Sequence, residues 1–312
     1  VSATTADTVV PEQDARRARG ASREPRAARD IRRPARRSAR KTRAAALKAV
    51  LVVLLLAFTL FPVLWMLSSA FDAKAGIGAA SILPREWSLE NFRYVLTEGG
   101  FDVFLRNSAI VALVTVLASA VLALLASVAV ARFRFKLRTA LLLMVLVVQM
   151  VPLEALVIPL FVQVRDLGLL NTLLGLMVVY VALSLPFGIW MLRGFVAAVP
   201  VELEEAAYID GASWGRMFRS VLLPLVMPGL VATSVFSFIT AWNEFIFAMT
   251  LLGGATENYT VAIGLKQFFG EHSNEWGAIM AASTIITLPV MVFFVIVQRR
   301  LSSGLVAGAV KG

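Results

Sequence analysis

Six long apolar runs, at residues 49–71, 107–131, 139–164, 172–192, 223–249 and 276–297, constrain this chain more than any other feature. At ~1.5 Å of rise per residue, a helix over each run is long enough to cross a hydrocarbon core of ~30 Å. In lipid a helix satisfies its own backbone donors and acceptors, so a chain built from such runs has few alternatives. A mean hydropathy of +0.79 with 16% charged residues is too apolar for a soluble domain of 312 residues. The expected fold is an all-α membrane protein with six transmembrane helices. The first run is too long, and lacks the small-residue cleavage pattern, for a removable signal peptide.

The positions of the basic residues orient the spans. With the amino terminus inside, 14 of the 30 Lys and Arg precede Ala49, 4 lie in 132–138, 3 in 193–219 and 3 after Val297, leaving 6 outside. This bias predicts that both termini are cytoplasmic. Residues 1–44 form a basic arm with no aromatic side chain and little to bury, expected to be disordered and to lie against anionic headgroups. Its Arg32, Arg33, Arg36 and Arg37 lack the interleaved aromatics that stack on bases, so no nucleic-acid partner is expected. The 45–312 region is then one transmembrane domain. Cysteine is absent and the single histidine, His272, falls in an external loop among Glu271, Ser273 and Asn274, so neither a metal centre nor a catalytic residue is proposed.

Several spans carry residues that a simple anchor avoids. Pro152 and Pro159 interrupt the third, Pro186 the fourth, Pro224 and Pro228 the fifth and Pro289 the sixth, each removing a backbone donor and favouring a kink. Glu154 lies within the third run and must face protein or water. It is either a pathway group, a structural partner for a carbonyl freed by Pro152 or Pro159, or half of an ion pair with another subunit. Trp242, Asn243 and Glu244 form a second polar cluster near the external end of the fifth run. An aromatic ring beside amide and carboxylate groups suits a polyol path, although Trp is also a common interfacial anchor.

The chain holds no G-x-x-x-x-G-K-[ST] phosphate loop, so it is not itself an ATPase and needs an external source of work. The cytoplasmic island at 200–224 suits a docking role. Glu202, Glu204, Glu205 and Asp210 follow Pro200, Ala206 and Ala207 keep the segment slim, and Gly211 permits a sharp turn between two short helices. A helix lying on the headgroups is the alternative, but anionic lipids would repel its acidic face.

The spacing of Glu205-Ala206-Ala207, three residues, Gly211, nine residues, Val221, one residue, Leu223-Pro224 resembles the shared motif of the inner-membrane permeases of binding-protein-dependent ABC importers, with Val221 in place of isoleucine. The runs QMVPLEALVIPLFVQVRDLGLLNT, LPFGIWMLRGF, ITAWNEFIFAMTLL and GLVAGAVKG are similar to the smaller permease of maltose-type sugar systems, from about residue 45 to Gly312. The resemblance implies a type I importer fold in the bacterial inner membrane. It also implies a coupling role toward an ATPase for Glu205, Ala206, Ala207 and Gly211, and a touch of the Lys311–Gly312 tail on that ATPase; the docking reading of the island adds Glu204, Asp210, Leu223 and Pro224 to the expected coupling residues. The implied partners are a second permease, two ATP-binding subunits that hold ATP and Mg, and an extracytoplasmic sugar-binding protein. The rival, an ion-coupled secondary transporter or channel, calls for inverted repeats and paired intramembrane charges, and neither is evident.

Overall fold

The computed structural model describes residues 35–75, 83–270 and 275–309. Residues 1–34 of the arm, His272, and the tail residues Lys311 and Gly312 lie outside the described residues. Among the described residues the structure is helical, with one isolated bridge between Asp72 and Trp87.

The chain divides into two units, Val1–Phe58 and Thr59–Gly312. In the first, helix α1 (Ala35–Ala70) begins within the basic arm, and its residues 44–58 are all exposed, as the apolar surface of a lipid-embedded helix should be. In the second, the loop after α1 is closed by Asp72, whose carboxylate accepts from the backbone N–H groups of Lys74 and Glu86. The short α2 (Glu90–Thr97) follows, then the long α3 (Phe101–Arg132), α4 (Arg138–Met150) and α5 (Val157–Asp166). Next come α6 (Leu173–Ala198), α7 (Val201–Ile209), α8 (Trp214–Met217) and α9 (Leu223–Asn243). The short α10 (Ile246–Leu252) and α11 (Val261–Gly264) precede α12 (Trp276–Ala309).

The core is the mutual packing of α3, α6 and α9, with α12 against α9 and α2. Along α3 the buried positions Ser108, Ala112, Thr115, Ser119, Ala123 and Ser127 recur every three or four residues, placing small side chains on one face. Lipid tails are as apolar as leucine, so helices in a bilayer associate through close packing of small residues. Gly188 of α6 meets α3 in this way, for a Cβ built there would lie 2.9 Å from the Ala123 Cβ.

Gly229 of α9 is tighter still, with a built Cβ 2.4 Å from the Phe195 ring of α6. Gly229→Val is therefore expected to cost about 1–3 kcal/mol by overpacking. Thermal unfolding of the purified protein in detergent would measure it, and Phe195→Leu in the same chain should recover part of the loss.

Two of the expected spans are not continuous. The run 139–164 is a bent pair, Arg138–Met150 and Leu153–Asp166, turned by 100°. Pro152 has no N–H to continue α4, and its ring disfavours helical geometry in the preceding residue, so Val151 is extended at φ −73° and ψ 126°. The run 223–249 breaks where Glu244 is extended, at ψ 128°, and α10 then starts as a separate helix. At its other end this span reaches back to Trp214, making one helix of 30 residues. The described residues thus hold five helices long and apolar enough to span, and six spans if the bent pair is one.

Candidate functional site

The polar island forms a helix, a glycine turn and a second helix. Helix α7 starts after Pro200 and carries Glu202 and Glu204 in its first turn, where carboxylates favour the positive end of the helix dipole. Its end explains the spacing of the motif. Asp210 closes the helix, the Gly211 N–H donates to the Tyr208 carbonyl at 3.0 Å and the Ala212 N–H donates to the Ala207 carbonyl at 3.0 Å. This is a Schellman cap, which requires a left-handed residue four positions after the one accepting the longer bond. Gly211 occupies that place at φ 80°. The three residues between Ala207 and Gly211 are the last turn of the helix.

Glu205, Ala206 and Asp210 are exposed, Ala207 is half-buried, and Ile209 beside them is 86% exposed. Large apolar side chains continue across the turn to Trp214, which is exposed and stacks on Phe218 with ring centroids 5.4 Å apart. Beyond them residues 218–222 form a π-turn in which the Leu223 N–H donates to the Phe218 carbonyl five residues back. Pro224, which has no N–H to donate, comes next, so the wide turn spares its ring the clash with a carbonyl that an α-helix would impose. Leu223 is half-buried and packs on the core, while Pro224 is exposed.

Glu204 departs from the sequence expectation. It does not offer its carboxylate outward with Glu202 and Glu205, for it is buried at 7% exposure and accepts from the Arg132 Nε at 2.7 Å. Arg132 ends α3, and its Nη2 donates to the Val199 carbonyl at the end of α6 at 2.9 Å. From the sequence alone Arg132 is one of the basic residues that set orientation, and its distance along the chain hides the contact with Glu204.

A second feature lies where α4, α6 and α9 meet. A cavity of about 260 Å³ is lined by Gln149, Tyr180, Ser184, Thr240 and Glu244, with Phe187 and Phe236 as its aromatic wall at a ring separation of 4.0 Å. Two interruptions of the helices contribute to it. The break after α4 brings Val151 and Leu153 to the wall, and Pro186 gives no N–H to the carbonyl of Ala182, which also lines the cavity.

Glu244 is the organising group. Its carboxyl accepts from the Tyr180 hydroxyl at 2.6 Å and from the Phe247 and Ala248 N–H groups at 2.9 and 3.0 Å, so it caps α10 while joining α6 to the end of α9. The other predicted pathway residues are placed differently. Trp242 is 2% exposed, packs on Phe238 and donates its indole N–H to the Ile286 carbonyl, so it presents no ring face to a sugar. Asn243 is exposed, and its amide donates to the Ile239 carbonyl one turn back. Glu154 is exposed in the single turn Leu153–Leu156 after the break, outside the cavity lining. Among the described residues its carboxylate has no hydrogen bond or ion pair. Gln149, Tyr180, Ser184 and Thr240 went unrecognised, although Tyr180 with Ser184 and Thr240 with Glu244 are pairs at the i, i+4 spacing of one helix face.

Both features lie within residues 119–306, which match the family of binding-protein-dependent transport system inner membrane components. The chain belongs to this family. The permease is 42% identical over 265 residues to the diacetylchitobiose uptake system permease protein DasC of Streptomyces coelicolor, covering 84% of this chain and 96% of that protein. It is 36% identical over 266 residues to the trehalose transport system permease protein SugB of Mycobacterium tuberculosis, covering 85% and 97%. A chain in the crystal structure of a bacterial ABC transporter involved in the import of the acidic polysaccharide alginate superposes with a TM-score of 0.71. That match covers 82% of the permease and 95% of the solved chain, and at 23% identity it shows the fold. The permease is a multi-pass inner-membrane transport component, and its family works with an ATPase and a binding protein.

Proposed function

We propose that this permease carries a sugar or oligosaccharide into the cytoplasm by ATP-driven alternating access. An extracytoplasmic binding protein delivers the sugar, a second permease completes the path, and two ATP-binding subunits, holding ATP and Mg, supply the work. Both termini are cytoplasmic, the basic arm lies against anionic headgroups, and the 200–224 segment faces the ATPases.

The observation that carries this reading is the cavity beside Glu244. Its hydroxyl, amide and carboxyl groups, set in a largely apolar wall that includes Phe187, Phe236 and Phe247, suit a polyol, which offers hydroxyls to the former and apolar C–H faces to the latter. The relatives named for diacetylchitobiose and trehalose support the same class of cargo. At the other end, exposed Glu205, Asp210 and Ile209 give an ATPase subunit an acidic and apolar patch to receive. Closure of the ATPases on ATP would move that patch and open the cavity outward, and hydrolysis would reset it.

Reconstituting the complete transporter in proteoliposomes and following uptake of labelled di- and oligosaccharides tests the reading. Uptake should require both internal ATP and the binding protein. Uptake that persists without ATP and follows an imposed ion gradient would overturn it in favour of an ion-coupled transporter. Thermal-shift screening of the companion binding protein against neutral oligosaccharides should then identify the cargo.

A further inference from the structure

We infer that Arg132 is a positioning residue of the coupling apparatus, and that its contact with Glu204 makes the α7 segment move as one body with α3 and α6. The inference rests on the transport reading above and names how motion received at α7 reaches α6, one of the helices that line the cavity.

One guanidinium closes three helix ends. Arg132 is the last residue of α3; its Nη2 takes up the Val199 carbonyl, which the end of α6 leaves without a helical donor, and its Nε holds Glu204 in the first turn of α7. The pair is shielded, with side-chain exposures of 14% for Arg132 and 9% for Glu204. In such surroundings water replaces neither partner cheaply, so the contact resists separation.

The rest of the attachment of α7 is light, for among its apolar side chains Ala207 packs on the core while Val201, Leu203, Tyr208 and Ile209 are exposed. It joins α6 through the extended residues Val199 and Pro200, at ψ 122° and 134°, and leaves through the left-handed turn at Gly211. Proline fixes φ at the first link and the hydrogen-bonded cap holds the second, so α7 is presented at a set angle, and the buried pair is a side-chain contact that carries a push on it to α3 and α6. The helices on the far side of the pair are themselves locked together, since α3 and α6 touch at Ala123 and Gly188. Of the carboxylates of α7, Glu204 alone is buried, whereas Glu202 and Glu205 are exposed. The acidic row is thus divided between an inward tether and outward groups for a partner.

The test uses the complete transporter in lipid nanodiscs and compares ATP hydrolysis with and without the sugar-loaded binding protein. Arg132→Gln and Glu204→Gln should each assemble with the ATPases and retain basal hydrolysis, while the ratio of stimulated to basal hydrolysis falls at least fivefold. Arg132→Lys, which keeps the charge but cannot reach both acceptors as a planar fork, should give an intermediate ratio. The chain has no cysteine of its own. In a complex whose other subunits are also cysteine-free, Arg132→Cys with Glu204→Cys can therefore be joined by a short bis-methanethiosulfonate linker. The linked sample should couple, and the same folded sample after reduction should lose stimulation at least fivefold. A ratio unchanged by reduction, or a native ratio in both Gln variants, would overturn the assignment. A wild-type complex without stimulated hydrolysis would overturn the transport reading and this one with it.

Discussion

Replacing Glu205 with Ala, or Gly211 with Val, in the assembled transporter is expected to reduce substrate-stimulated ATP hydrolysis at least tenfold, with membrane insertion unchanged. The two substitutions act by different physics. Glu205 is exposed and takes part in no hydrogen bond or ion pair by its side chain among the described residues, so its loss removes only what a partner would have gained. Gly211 acts through the backbone. At φ 80° an L-residue is strained by about 1–2 kcal/mol, although a Cβ there would have nothing within 4 Å in this chain. By that energy alone the capped geometry loses roughly a factor of 5–30 in population, since ~1.4 kcal/mol is tenfold. A graded series separates the causes. Gly211→Asn, which tolerates the left-handed region, should retain most of the stimulation, Gly211→Ala should lose part and Gly211→Val most of it. Stimulation that survives both Glu205→Ala and Gly211→Val in a complex of normal composition would remove the segment from the coupling role.

The elements legible in the sequence were those set by local rules. Run length and the left-handed requirement of Gly211 act within a few residues, and the two short helices meeting at the glycine stand where those rules put them. Pro152 predicts a kink, yet the 100° turn found there also depends on how α5 packs against α10, which a run of apolar letters does not record. The candidate site was less legible because its contacts join distant residues. Arg132 and Glu204 are 72 positions apart and Tyr180 and Glu244 are 64 apart. Trp242, Asn243 and Glu244 are adjacent in sequence but point around a helix at about 100° intervals. One is therefore sunk in the core, one faces outward and one reaches the cavity. Adjacency suggested a cluster where helical geometry separates the three.

Glu244 is expected to show the largest effect in the cavity. Glu244→Ala leaves the Tyr180 hydroxyl and the Phe247 and Ala248 N–H groups without their acceptor, and each unsatisfied buried donor costs about 1–3 kcal/mol. The start of α10 then frays and the joint between α6 and α9 opens, so sugar uptake should fall more than tenfold together with the thermal stability of the complex. Glu244→Gln keeps one carbonyl oxygen but presents an amide donor to a backbone donor, and should fall between that variant and wild type. Tyr180→Phe removes only the bond between helices, which in membrane proteins is worth about 0.6–2 kcal/mol. It leaves Glu244 capping α10, so the complex should assemble normally, and the missing cavity hydroxyl should appear as a KM for uptake raised threefold or more. The comparison separates support from contact, because a purely structural Tyr180 would shift stability and leave KM alone. Uptake within twofold of wild type for Glu244→Ala would show that this cavity does not lie on the sugar path.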